Sequence, residues 1–119
     1  MTVRIYTSPD PAPFLPQQSV FQYLLPDSPE LSPLPSFDSS LPAFIDGKTG
    51  ETLSRGDVKS IALRLAAALR GAELGGEGEG LGLKFGDTAC IWSFNSLEWA
   101  LTAYGLLAAG VTISPANAA

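Results

Sequence analysis

Two short apolar runs with a helix-forming stretch between them dominate the second half of the chain. The first run, residues 89–94 (ACIWSF), is too short for a helix and too uniformly apolar for a strand with one wet face. Such runs are typical of strands that are buried on both faces in a parallel sheet. The second run, residues 111–114 (VTIS), is rich in β-branched residues and also predicts a strand. We therefore expect two neighbouring parallel strands, each apolar on both faces.

The residues between these runs predict a buried helix over 97–109. Ser96 is a suitable N-cap because its hydroxyl can accept from the free N–H groups of the first turn. Glu98 suits the positive end of the helix dipole, and Gly110 stands where a glycine commonly ends a helix. Apolar side chains on every side of the helix indicate burial. Strand, helix and strand within about thirty residues predict a βαβ unit with a right-handed crossover.

A hairpin and an amphipathic helix are predicted before this unit. Residues 42–46 and 51–53 are short apolar runs around a glycine-bounded turn, which predicts a β-hairpin. The spacing of Ser54 and Asp57 fits the capping box at the start of a helix. Helical periodicity follows at Val58, Ile61, Ala62, Leu65 and Leu69, with Lys59, Arg64 and Arg70 on other faces. This pattern predicts an amphipathic helix that lies against a sheet.

Proline punctuates the start of the chain, where eight of the ten prolines precede position 42. One short helix is predicted over 19–25, where Ser19 and Gln22 fit a capping box and Pro26 ends the helix. We expect its apolar residues to clamp this segment onto a core; they are Phe21, Leu24 and Leu25. Residues 26–42 have the composition of a linker.

The glycine-rich stretch at 71–80 (GAELGGEGEG) does not have the setting of a phosphate loop. Phosphate loops join a strand to a helix N-terminus, whereas this stretch follows a helix, lacks lysine and carries three glutamates. It predicts a flexible solvated insertion.

The chain then divides into a proline-rich lead with one short helix, 1–42, and a partial α/β region, 43–119. The predicted fold class is α/β: a partial parallel-sheet βαβ unit preceded by a hairpin and an amphipathic helix, forming an incomplete N-terminal portion of a larger domain.

Composition and charge narrow the classes of function. The net charge is −5 with no basic cluster, which argues against binding of nucleic acid or of anionic membrane surfaces. No apolar run is long enough for a membrane span, and no secretory signal is visible, so an intracellular location is expected and the compartment, cytoplasmic or peroxisomal, stays unknown. The chain has no histidine, which excludes Ser–His and Cys–His catalysis within it. Its one cysteine, Cys90, is expected to be a small buried hydrophobe in mid-strand.

Four pieces of sequence, in this order, resemble the N-terminal region of the AMP-forming acyl-CoA synthetases, the adenylate-forming ligases. They are TLSRGDVKSIALRLAAALR at 52–70, GLKFGD at 82–87, NSLEW at 95–99 and AAGVTISPAN at 108–117. The opening, IYTSPDPAPFLPQQSVFQYLL at 5–25, looks most like the coumarate–CoA ligase-like branch. The resemblance covers nearly the whole chain, and the glycine-rich insertion departs from it.

The resemblance implies an acid–thiol ligase that joins a carboxylate to ATP, releases pyrophosphate, and transfers the acyl group to coenzyme A with loss of AMP. It also implies ATP, Mg²⁺ and CoA as ligands of a full-length member, and the remainder of the ligase chain as a partner. In the family the phosphate loop with its lysine, the aromatic-Gly-x-Thr-Glu stretch, the ribose-binding aspartate and the catalytic lysine all lie further along. No catalytic, cofactor-binding or metal-binding residue is therefore assigned here, and this chain alone is expected to be inactive. The acyl substrate stays open.

The positions that match the family have structural roles by both interpretations, as turn and packing residues. They are Gly86, Asp87, Asn95, Glu98, Gly110 and Asn117. Glu98 is the one that could suggest a general base, but a carboxylate in a first helical turn is usually a cap.

Two other hypotheses stay open beside the ligase segment. The chain could be a non-catalytic interaction module that uses an exposed sheet edge for a partner or for self-association. It could also be a small nucleotide-binding domain, although residues 94–97 (FNSL) lack the glycine such a site needs after its first strand.

Too few strands and helices are predicted to cover the sheet, so aromatic residues should be partly exposed and the isolated chain should be unstable or self-associate. The aromatic residues concerned are Trp92, Phe94, Trp99 and Tyr104.

Overall fold

A computed structural model describes residues 9–10, 17–27, 38–71 and 80–118. Within them the elements follow in the order α1 (Val20–Leu24), β1 (Pro42–Ile45), β2 (Thr52–Ser54), α2 (Arg55–Arg70), β3 (Thr88–Trp92), α3 (Leu97–Ala108) and β4 (Thr112–Ala116). This is a small α/β arrangement with a hairpin and a parallel pair, which confirms the predicted fold class. Most of the predicted linker and of the glycine-rich insertion lie outside the described residues.

The predicted hairpin is formed by β1 and β2, which pair antiparallel with Ile45 opposite Thr52. The Asp46 carboxylate stabilises its turn, because Oδ1 accepts from the backbone N–H groups of Thr49 (2.8 Å) and Lys48 (2.7 Å). Both bonds favour the charged carboxylate, so they hold the pKa of Asp46 below its ordinary value. The hairpin turn is thus stabilised by the hydrogen bonds that the Asp46 side chain accepts, and not by glycine alone.

Helix α2 begins at the predicted capping box. Ser54 Oγ accepts from the Asp57 N–H (3.1 Å), and the Asp57 carboxylate accepts from the Ser54 N–H (3.0 Å) and hydroxyl (2.6 Å). These bonds lower the pKa of Asp57, and the bond from the Ser54 hydroxyl has the largest effect.

The expectation that α2 lies against a sheet is wrong in its main contact, because α2 packs chiefly along α3. The two-stranded hairpin is too small to cover a sixteen-residue helix, and its Phe44 and Leu53 pack against the cluster that holds Val58 and Ala62 of α2.

The βαβ unit is confirmed, with β3 and β4 parallel and Cys90 in register with Ser114. Helix α3 ends in a Schellman motif, in which the Gly110 N–H donates to the Leu107 carbonyl (3.1 Å) and the Val111 N–H donates to the Leu106 carbonyl (2.9 Å). Gly110 adopts φ +74°, a left-handed conformation that glycine reaches without a Cβ penalty. The chain can therefore reverse directly from α3 into β4.

Two apolar clusters form the core. The first lies between α2, α3 and the parallel pair, and its buried members are Ala66, Ile91, Ala103, Leu106, Ala109 and Val111. The second lies where α1 and the hairpin meet the helices, and its buried members are Phe21, Leu25, Val58 and Ala62. The predicted clamp is confirmed for Phe21 and Leu25, whereas Leu24 is exposed. Among the described residues, no helix is long and apolar enough to cross a membrane.

Strand β3 departs from the prediction of burial on both faces. Ile91 is buried against the first cluster, but Trp92 is 74% exposed, and Phe94, just beyond the strand, is 68% exposed. Cys90 is exposed as well, so the expectation that it is a buried hydrophobe is wrong. The cause is that α2 and α3 cover one face of the parallel pair and no described element covers the other. The predicted partial exposure of the aromatic residues is confirmed, since Trp99 and Tyr104 are only partly buried.

Candidate functional site at the carboxyl ends of β3 and β4

A groove of about 410 Å³ opens where β3 and β4 end beside the start of α3. It is lined by Ser93, Phe94, Asn95, Trp99, Pro115, Ala116 and Asn117. In open α/β sheets, ligands commonly bind outside the carboxyl ends of the strands. The groove therefore lies at a position where folds of this kind commonly hold a ligand.

Two asparagines and the Trp99 indole are among the residues that line this groove. Asn95 follows β3 and Asn117 follows β4, so the parallel register brings them to the same edge of the sheet. Trp92 Nε1 donates to the Asn117 carbonyl oxygen at 3.0 Å, which ties the end of β3 to the end of β4. The sequence analysis identified both asparagines as turn residues and did not predict that they line the same groove. The signal available was that each stands directly beyond a strand's carboxyl end.

A second, smaller pocket of about 230 Å³ lies between the hairpin turn and the start of α3. Asn95 lines both pockets, and Asp46 of the hairpin turn stands on the wall of the second. An edge contact between the rings of Phe44 and Tyr104, whose centroids are 5.9 Å apart, holds the hairpin against α3. The hairpin thereby becomes part of the candidate site, a contribution that local sequence patterns did not reveal.

Glu98 behaves as a helix cap rather than as a base. Its pKa is lowered, first because its carboxylate accepts a hydrogen bond from its own backbone N–H and then because it accepts one from the Ser96 hydroxyl. The Ser96 Oγ in turn accepts from the Trp99 N–H at 3.2 Å. A carboxylate held in its ionised form at a helix start is a weak proton acceptor near neutral pH, because the best general bases have pKa values close to the working pH.

The residues around the groove do not fit a nucleotide triphosphate. No lysine or arginine is among the described residues that line either pocket. Among the described residues that line the two pockets, Asp46 is the one charged side chain, and its charge is negative. No group of three or more acidic, histidine or cysteine residues in the described part of the chain could hold a metal ion. We therefore derive no chemical step through ATP or Mg²⁺ at this groove.

Gly86, Asp87 and Gly110, which also match the ligase family in sequence, lie together at the end of the sheet opposite the groove. The Gly86 N–H donates to the Gly110 carbonyl at 2.9 Å, and the Thr112 N–H donates to the Asp87 carbonyl at 2.7 Å. The Asp87 carboxylate accepts from the Lys84 N–H at 2.8 Å, which closes the turn before β3. These residues join the turn before β3 to the turn before β4, where the strands begin, and they lie away from the groove.

Comparison with known proteins relates the chain to part of a larger enzyme. It is 33% identical over 112 residues to 4-coumarate–CoA ligase 5 of Oryza sativa subsp. japonica, covering 87% of this chain and 19% of that protein. It is also 36% identical over 76 residues to putative 4-coumarate–CoA ligase-like 8 of the same species, covering 64% of this chain and 11% of that protein. No family model matches the chain. The chain thus spans about a fifth or less of the length of these curated relatives, and its similarity extends to the coumarate–CoA ligase-like, adenylate-forming group.

Proposed function

We propose that this chain is the N-terminal segment of an ATP-dependent ligase that joins a carboxylic acid to coenzyme A. The observation that carries the proposal is the 33% identity over 112 residues to 4-coumarate–CoA ligase 5. The order of elements supports it, because the pieces of sequence that resemble this group coincide with β2, α2, the start of α3 and β4.

For the whole ligase, the proposal implies that a carboxylate attacks ATP to give an acyl-adenylate and pyrophosphate. The thiol of coenzyme A then displaces AMP to give the thioester. ATP, Mg²⁺ and CoA would be bound by other parts of that protein, because the described groove carries no counter-charge for phosphate. The acid it activates belongs to the same proposal, with aromatic or aliphatic carboxylates as candidates.

Within such a ligase, the segment would act as a scaffold. Its two apolar clusters fix the βαβ unit against the hairpin, and the face of the parallel pair that carries Trp92 stays exposed. An exposed apolar face on a sheet is typical of a surface that another element covers. We propose that the remainder of the ligase chain covers it, with the groove at Asn95 and Asn117 opening toward that remainder.

The isolated 119-residue chain should show no carboxylate-dependent ATP–pyrophosphate exchange. The physical reason is that no residue lining the groove can balance the charge on the phosphates during adenylate formation. The measurement is exchange of labelled pyrophosphate into ATP with a panel of carboxylates that includes 4-coumarate. 4-Coumarate–CoA ligase 5 serves as the positive control. Reproducible exchange by the purified chain would contradict this expectation.

A chimera makes the assignment itself testable. In 4-coumarate–CoA ligase 5, the aligned stretch is replaced by this chain in one variant and deleted in the matched control. If the chain is the corresponding scaffold, the chimera folds and retains exchange above the deletion control. A chimera that is folded, as judged by circular dichroism, yet is as inactive as the deletion would count against the proposal.

An interaction module is the second candidate, and one observation favours it. Within the described residues, β3 has a hydrogen-bonded neighbour on one edge only, and its outward face is exposed. An open edge of this kind can receive a strand from another chain.

A further inference from the structure

The base of the hairpin is fixed to α2 by the backbone. Strand β2 ends at Ser54, where α2 follows without a break, and the Arg55 N–H donates to the Leu41 carbonyl at 2.9 Å just before β1. The turn at the other end is closed by bonds of its own, such as that from the Asp46 N–H to the Glu51 carbonyl at 2.8 Å. These bonds shape the turn, but they do not join it to α3.

Side chains bring the hairpin to α3. The ring of Phe44 in β1 lies edge-on to that of Tyr104 in α3, and Leu53 of β2 packs against the same apolar cluster, the second of the two. A two-stranded hairpin is only marginally stable by itself. The contacts of this cluster therefore decide how firmly the hairpin turn is held over the start of α3.

The N-terminal arm, residues 17–27, supplies half of the buried centre of that cluster. Phe21 and Leu25 of the arm are buried together with Val58 and Ala62 of α2, and α1 also contacts α3. A helix of five residues has too few internal hydrogen bonds to be stable alone, so α1 depends on this packing. The arm and the hairpin thus rely on one shared set of contacts.

The far end of the arm is tied to α2. The Lys59 ammonium donates to the Pro26 carbonyl at 2.7 Å and pairs with the Asp27 carboxylate at 2.8 Å. Because α1 contacts α3 while Pro26 is bonded to α2, the arm connects both helices at the cluster where they meet the hairpin.

We propose that the N-terminal arm is a strap that holds the hairpin turn over the start of α3 and thereby sets the shape of the second pocket. Phe44 links the two, because it packs against the cluster that the arm completes and also lines the pocket with Asp46 and Asn95. Release of the arm lets the hairpin side of the pocket move away from α3. Coupling between two sites is reciprocal, so a molecule that filled the pocket would in turn favour the docked arm.

The division of the core into two clusters makes this opening local. The buried members of the first cluster lie between α2, α3 and the parallel pair, and none of them belongs to the arm or the hairpin. The βαβ unit should therefore stay closed when the arm is released, as expected of units that open separately. The proposal does not rest on the ligase assignment, so its tests can succeed or fail independently of the exchange and chimera experiments.

Hydrogen exchange measures whether the arm holds the hairpin. In Phe21→Ala, the hydrogen-bonded amides of Asp46 and Gly50 should exchange about tenfold faster than in Val20→Ala, a size typical of coupling between residues that share contacts. Val20→Ala is the matched control because it alters an exposed residue of the same helix. The Val111 amide, beside the first cluster, should accelerate less. Equal acceleration of the hairpin and Val111 amides would mean that the chain opens as one unit and would overturn the proposal.

The reciprocal experiment changes the hairpin and observes the arm. Phe44→Ala should make chymotrypsin cut after Tyr23 about tenfold faster, because the arm loses part of the cluster that holds it. Mass spectrometry of the released fragment 1–23 follows this cut. Ile45→Ala is the matched control, since Ile45 is the exposed neighbour on the same strand, and it should be cut at the wild-type rate. If Phe44→Ala does not fold, Phe44→Leu replaces it; the leucine variant loses the ring contact with Tyr104, stays apolar, and should give a smaller increase.

The two experiments together decide the proposal. Faster exchange of the hairpin amides in Phe21→Ala and faster cleavage after Tyr23 in the Phe44 variant support a strap. If hairpin exchange in Phe21→Ala stays at the rate of Val20→Ala, or if cleavage in the Phe44 variant stays at the rate of Ile45→Ala, the arm and the hairpin dock independently and the proposal is wrong.

Discussion

Replacing Gly105 with valine should lower the free energy of unfolding by about 3 kcal/mol, because overpacking a tight helix contact forces the backbones apart. Gly105 lies where α3 passes close to Leu65 of α2. A Cβ placed there would contact Leu65 Cδ2 and would lie 2.7 Å from its Cγ and 3.0 Å from its Cβ. The contact extends to the root of the Leu65 side chain, so a rotamer change cannot relieve it and the two helices must separate.

Urea denaturation followed by circular dichroism measures this effect. Gly47→Val is the matched control, because a Cβ at Gly47 meets nothing within 4 Å and its φ is not positive. The control should stay within about 0.5 kcal/mol of the wild type. Adding Leu65→Ala to Gly105→Val should restore part of the loss, since the two sites are in contact and their effects are coupled. Equal stability of Gly105→Val and wild type would show that α2 and α3 do not pack at this distance.

Replacing Phe21 with alanine should destabilise the packing of the N-terminal arm, residues 17–27, on the core by about 3 kcal/mol, the lower end of the cost of a buried Phe→Ala change. Phe21 is 5% exposed and packs in the second cluster with Val58, which is 1% exposed. The Lys59 ammonium also holds the arm, by donating to the Pro26 carbonyl at 2.7 Å and pairing with Asp27 at 2.8 Å. The ion pair contributes little because the Asp27 side chain is 75% exposed, so the apolar contact should dominate.

Limited chymotrypsin digestion reports undocking through cleavage after Tyr23, and urea denaturation gives the change in stability. Val20→Ala is the matched control on the same helix, because Val20 is 59% exposed. Phe21→Ala should be cut much faster than Val20→Ala and should unfold at a lower urea concentration. Equal cleavage of the two variants would mean that α1 is not held on the core through Phe21.

The parts of the fold that the sequence predicted are those governed by local physics. The Ser54–Asp57 box, the Ser96 cap and the glycine at 110 each satisfy hydrogen bonds within a few residues of themselves, so their sequence spacing carries the information. The parallel pairing of β3 and β4 was also predictable, because a strand, a helix and a second strand within about thirty residues form a βαβ crossover, which makes the two strands parallel.

The parts that were missed depend on which distant elements are present. The apolar character of residues 89–94 is suited to two buried faces, but the burial of Cys90 and Trp92 requires an element on the second face that no described residue provides. The main contact of α2 was missed for a related reason. Its small residues, Ala62 and Ala66, can face a sheet or a helix equally well, and the choice of α3 is made by Gly105, about forty positions further along the chain.

The candidate site was the least predictable feature. Asn95 and Asn117 are ordinary turn residues by local pattern, and they meet only because two strands end at the same edge. Asp46 joins them through the packing of Phe44 on Tyr104, a contact between the hairpin and α3. Local patterns therefore located the strand ends, while the composition of the site followed from tertiary packing.

The intact mass of the native product, measured beside a read through its transcript, tests the ligase assignment most directly. The account predicts a product several times heavier than 12.4 kDa, with coding sequence that continues in frame beyond Ala119 into a Ser/Thr/Gly-rich loop containing lysine. A stable native product of 12.4 kDa with no larger species would contradict it and would favour the second candidate, the interaction module.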